Sequence, residues 1–196
     1  MRKLLRFALS CTGVVFLALT YPVTAQETGD SQSSYSGDPS GSPTGRSPST
    51  QVASVPQLAT RLSQMKNLCT ATGGYVVDCL AERIETLGLD AANMNGHTEL
   101  KQILRETAEE LRLLARANSD KTAARARISS NDGQRSARPL VAVTPERRAS
   151  AQRQAIAILQ EAETKLLRSS TQSAARASQY QQVAAALGSN KVLLRS

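Results

Sequence analysis

The sequence predicts an all-α protein built as two helical hairpins, the second long and coiled-coil-like, preceded by a disordered N-terminal segment. Apolar residues recur every three or four positions from Leu58 onward, which is the period of one helical face. Gly and Pro interrupt that period only at widely spaced points. The chain is also poor in aromatic residues, at 3% with no Trp, so Leu, Ile, Val and Ala must fill its interior. Such material suits helices packed along their lengths better than a deep globule around an enclosed pocket.

Residues 1–25 read as a secretory signal peptide. Arg2, Lys3 and Arg6 precede an apolar run from Phe7 to Leu19, and Val23-Thr24-Ala25 places small residues for cleavage after Ala25. The apolar run falls short of the ~20 residues that span a bilayer. Arg2 is followed by Lys3, so no twin-arginine pair is present, and Ala8-Leu9-Ser10 before Cys11 lacks the aliphatic start of a lipid-attachment box. The expected localisation is periplasmic or secreted. Cleavage would take both Phe residues and lower the formal charge from +8 to +5.

Residues 26–55 form a Ser/Gly/Pro/Thr-rich linker with Pro39, Pro43 and Pro48 and almost no aliphatic residue before Val52. Nothing in it offsets the entropy of ordering, so it is expected to be disordered. Residues 56–196 form the helical domain. In the first hairpin, residues 56–95, Leu58, Leu62, Met65 and Leu68 mark one helix, and Thr70-Ala71-Thr72-Gly73-Gly74 breaks it. Val76, Leu80, Arg83, Ile84 and Leu87 mark the next, as far as Gly88. The long hairpin, residues 97–188, begins with a helix predicted from Thr98 to about Ala126, striped by Leu100, Ile103, Leu104, Leu111 and Leu114 and weakly apolar past Asn118. Asn131-Asp132-Gly133 signals a turn, and Pro139 to Val143 an extended segment. Thr144-Pro145-Glu146 then opens a helix, with a hydroxyl before it, Pro at its first position and an acid at the positive end of its dipole. Ile156, Leu159, Leu166, Tyr180, Ala184 and Leu187 carry this helix unpunctuated to Gly188, its predicted C-cap, with a Glu161/Lys165 pair on its surface.

Cys69 and Cys79 are the cysteines that remain after cleavage, and in an oxidising compartment an even count predicts a disulfide clamping the first hairpin. Nine intervening residues do not make the Cys-x-x-Cys spacing of a redox pair. With His97 as the sole histidine, no metal site and no cofactor are expected. His97 reads as a helix-entrance residue, and Glu109-Glu110 and Glu161 with Glu163 as solvated faces. No nucleophile elbow surrounds any Ser, so no catalytic residue is assigned and an enzyme is not expected. Val143-Thr144-Pro145-Glu146-Arg147 resembles the Leu-Thr-x-x-Gln signature of small periplasmic helical chaperones at its Thr. It departs from that signature at Val143 and Arg147, and helix capping accounts for the same residues.

From Lys121 to Arg153 eight basic residues face only Asp132 and Glu146, a local charge of +6. Arg125, Arg127, Arg135, Arg138, Arg147, Arg148 and Arg153 are therefore candidates for binding an anionic partner, either an envelope protein or an anionic surface of lipid, lipopolysaccharide or cell wall. Nucleic acid is not expected, since no aromatic stacking platform accompanies the charge. The function expected is that of an exported, non-enzymatic helical interaction or scaffold protein of the cell envelope, with homo-oligomerisation through the long helices as a second use of the heptads. The alternative is a periplasmic stress or chaperone-like protein binding unfolded clients, and a cell-wall or lipid-modifying enzyme ranks below both.

Overall fold

Among the described residues the apolar period becomes five α-helices: α1 (Val55–Cys69), α2 (Val76–Asp90), α3 (Thr98–Ala117), α4 (Pro145–Ser169) and α5 (Ala174–Ser189). One 3₁₀ turn (Gly73–Tyr75) precedes α2 and another (Asn190–Leu194) follows α5. The structure, a computed structural model, describes residues 52–70, 72–169 and 174–195. The signal peptide expected over residues 1–25, and the linker as far as Gln51, lie outside the described residues. Among the described residues there is no β-strand, only three isolated bridges.

α1 starts with Pro in its first turn, where the missing N–H costs no helical bond. Its stripe of Leu58, Leu62, Met65 and Leu68 is buried as the spacing predicts. Val52 and Val55, at the foot of the linker, are buried too, and the Val52 N–H donates to the Asp90 carbonyl at 3.3 Å. Gly73 holds φ at 57°, a left-handed conformation that a side chain would strain, and so allows the short turn into α2. Across this turn Cys69, the last residue of α1, is bonded to Cys79 in the first turn of α2, with Cα atoms 5.8 Å apart and both residues buried. For a loop of this length the chain-entropy model assigns roughly 2.8 kcal/mol to such a link.

Each helix packs on its predecessor, and α5 returns to pack on α1 as well as α4, closing the bundle. Gly88 faces Leu104 and Glu85 pairs with Arg112, so α2 and α3 run antiparallel. Ser169 bonds Glu99 while Lys165 pairs with Glu106, so α3 and α4 do the same and leave the basic segment at their joining end. The Glu161–Lys165 ion pair forms at 3.1 Å. Leu58, Leu62, Leu80, Leu104, Leu111, Leu159 and Leu187 are among the fully buried side chains, each contributing roughly 1.5–3 kcal/mol.

Four boundaries differ from the sequence expectation. α3 ends at Ala117 rather than near Ala126, because the Asn118 side-chain amide donates to the Leu114 carbonyl and Asp120 accepts the N–H groups of Thr122 and Ala123. Polar side chains there give the backbone an alternative to the helix. α2 runs past Gly88 to Asp90, and α5 runs past Gly188 to Ser189 before tightening into the 3₁₀ turn, so Gly188 is not a C-cap. The helix expected to run unbroken from Thr144 to Gly188 is two helices, α4 and α5, which pack on each other. Between Leu166 and Tyr180 no large apolar side chain falls on the buried face, and Ser169-Ser170-Thr171-Gln172-Ser173 is a poor helix-former. Ser170 and Ser173 themselves lie outside the described residues.

Candidate functional site

The basic segment between α3 and α4 is an ordered excursion docked along α2. Three antiparallel bridges, Ser119 with Val143, Ala126 with Leu140 and Ser129 with Arg135, hold its two arms together. Its tip turns at Asn131-Asp132-Gly133, where the Asp132 carboxylate accepts from the Ser130 hydroxyl and from Gln134. The Ser130 hydroxyl bond is the main reason the Asp132 carboxyl titrates below its usual range. Leu140 and Val143, in the segment expected to be extended, are buried and fix the returning arm to the core.

Two buried carboxylates bind this excursion to the bundle. Asp78 and Glu82 lie one turn apart on α2, each 1% exposed. Asp78 receives both ends of the Arg138 guanidinium at 2.8 Å and the Val141 N–H at 2.8 Å. This hydrogen-bonded carboxylate raises the Arg138 pKa further above its ordinary value, against the opposing effect of burial. Glu82 accepts from the Ala137 N–H at 2.7 Å and from the Arg83 side chain. At the start of α2, the Tyr75 hydroxyl donates to the Ala124 carbonyl at 2.7 Å and the Val143 N–H donates to the Gly74 carbonyl at 2.8 Å. Gly74 also lets the Arg148 guanidinium lie against the turn, since a Cβ there would stand 3.3 Å from Nη2.

The seven candidate arginines therefore divide. Arg138 is withdrawn into the buried pair with Asp78, and Arg127 folds back to donate to the Ala137 carbonyl at 2.9 Å. Arg148 is partly buried, with its Nε lacking a hydrogen-bond partner among the described residues. Arg125, Arg135, Arg147 and Arg153 are exposed and have no acidic partner among the described residues. The Tyr75–Ala124 and Gly74–Arg148 contacts bring Arg125, Arg147 and Arg148 around the turn that opens α2. Arg135 is carried to the distal end, where the neighbouring Gln134 lies over α1 and α2 beside Arg61 and Arg83.

Asp78 and Glu82 are the residues that sequence reasoning missed. Their signal was present as two acids spaced i, i+4 among Val77, Leu80, Ala81 and Ile84, in phase with burial. Arg83, placed in the apolar stripe by its spacing, is instead partly exposed and pairs with Glu82 at 2.5 Å. Among the other candidates, Glu109 and Glu110 are exposed, while Glu163 pairs with Lys191 at 2.8 Å. His97 directly precedes α3, as expected, with its ring 6.0 Å from that of Tyr180. Among the described residues no group of three or more His, Cys, Asp or Glu side chains is placed to hold a metal ion, and no helix is long and apolar enough to cross a membrane. Compared with models of protein families, with curated proteins and with solved structures, the chain has no match.

Proposed function

We propose that this chain is an exported, non-enzymatic helical interaction protein of the cell envelope, and that it offers the exposed arginines of its basic excursion and of the start of α4 to an anionic partner. One observation carries the reading. The excursion is anchored by Asp78 and Glu82 while Arg125, Arg135, Arg147 and Arg153 are left exposed without acidic partners among the described residues. A rigid support under unneutralised guanidinium groups lowers the ordering cost of binding. Their field reaches an anionic surface over a Debye length of ~8 Å at physiological salt. Export rests on the signal-peptide reading of residues 1–25. The exposed large apolar side chains Leu89, Leu113, Leu167 and Val192 sit on four different elements, which favours this reading over a client-binding apolar face.

The test is capture of partners from envelope extract by the mature chain and by a variant with Arg125, Arg135, Arg147 and Arg153 changed to Ser. Arg138 is kept, because its removal would strand the buried Asp78 charge. The expected result is a specific partner that is lost in the variant and released by salt. Equal capture by both proteins would reject the arginine surface.

A further inference from the structure

A second surface lies in the groove between the C-terminal half of α2 and α3, and meets the basic excursion at Glu85, which Arg138 approaches at 3.8 Å. It encloses about 570 Å³, within the roughly 300–1,000 Å³ of small-molecule sites. Two features of its lining are unfavourable for folding alone. Gly88 sits within α2, where glycine destabilises a helix relative to alanine. Packing does not demand it, because a Cβ there would meet only the Leu104 Cβ at 3.8 Å, an ordinary contact. Beside it, Leu89 is 71% exposed, the most exposed large apolar side chain among the described residues. Functional sites are places where departures from local stability rules are expected.

The groove's polar end is built from α3. The Lys101 ammonium is fixed by donating to the Ala92 carbonyl at 2.9 Å and the Met94 carbonyl at 3.1 Å. Its third N–H has no acceptor among the described residues, and three donors are available to an ammonium. One turn on, Arg105 is exposed and has neither a hydrogen-bond nor an ion-pair partner among the described residues. The remaining cation, Arg112, is neutralised by Glu85 at 2.8 Å. Glu109, the other acid of the lining, is exposed about one turn beyond Arg105 and two turns from Lys101. Lys101, Arg105 and Arg112 against Glu85 and Glu109 leave the lining with a net positive charge, and Lys101 lies at the end away from both acids, beside a floor of Gly88, Leu89, Ala92 and Ala108.

We propose that this groove binds a small amphipathic anion, an aliphatic body with a carboxylate head, the head held by Lys101 and Arg105 and the body lying on Gly88 and Leu89. The probe is dodecanoate, titrated below its micelle concentration into the full chain, with binding followed by the amide resonances of Leu89, Ala92 and Ala108. Saturable shifts confined to the groove are expected. Arg105→Ala should weaken dodecanoate binding by about tenfold while leaving the weaker binding of neutral dodecanol unchanged. Gly88→Leu should fill the groove and abolish binding while raising Tm by roughly 2–4 °C through the lost glycine, an outcome that a misfolded variant would not give. Absence of saturable shifts, equal affinity for dodecanol, or undiminished binding in Gly88→Leu would overturn the proposal. So would a concentration-dependent self-association that Gly88→Leu removes, since the groove would then hold a second copy of the chain.

Discussion

The surroundings of His97 oppose its protonation. Its Nδ1 is buried without a hydrogen-bond partner among the described residues, so an added proton there would meet no acceptor. Burial is the main cause of its lowered pKa, followed by Arg176 of α5 and Lys101 of α3. Glu99 of α3 and the Tyr180 hydroxyl are the other titratable groups at this junction. Because the folded value lies below the ordinary 6.5, the folded chain binds fewer protons than the unfolded chain just below that pH. Stability is therefore full above the unfolded value and falls with acidification until the folded value is passed. The urea midpoint should begin to drop as the pH falls through the ordinary 6.5 of His97, and His97→Gln should show a smaller drop. Parallel curves for the two proteins would remove His97 from the account.

Among the elements, the basic excursion depends most on a single side chain outside it. Asp78 satisfies a guanidinium and a backbone N–H of a segment about sixty residues away, from a position 1% exposed. Removing Asp78 leaves the Arg138 side chain, 28% exposed, without its carboxylate and the Val141 N–H without its acceptor, at about 1–3 kcal/mol. Asp78→Ala should therefore lower stability by an amount of this order, and amide exchange should accelerate first in residues 126–141, before α2 itself opens. An exchange pattern unchanged in the excursion would mean that Leu140 and Val143 hold it without the carboxylate. The helices on either side were legible locally. Thr144-Pro145-Glu146 marks the start of α4, and the Gly-rich turn with its flanking cysteines marks the α1–α2 clamp. The end of α3 was less so, because competition from Asn118 and Asp120 prevails only where no apolar residue follows on the buried face.

For the molecule as a whole, closure comes from the last few residues. The fully buried Asn190 donates to the Leu62 carbonyl of α1 at 2.9 Å, Lys191 pairs with Glu163 of α4, and Leu194 is buried. This turn ties the 3₁₀ segment to the first helix, but the Asn190 Oδ1 is buried without a hydrogen-bond partner among the described residues, so Asn190→Ala should cost about 0.5–1.5 kcal/mol and loosen α1 ahead of α3. A denaturation midpoint within error of the parent would show that packing between α1 and α5 closes the bundle unaided. The helical class, the α1 and α2 stripes and the disulfide partners were determined by the sequence by itself, because each depends on residues within a few turns of one another. Which arginines are presented, and which acids are buried beneath them, only the tertiary structure decided. Arg138 and Asp78 meet through the docking of one distant segment on another, and charge composition records how many cations a segment carries but not which of them the fold neutralises.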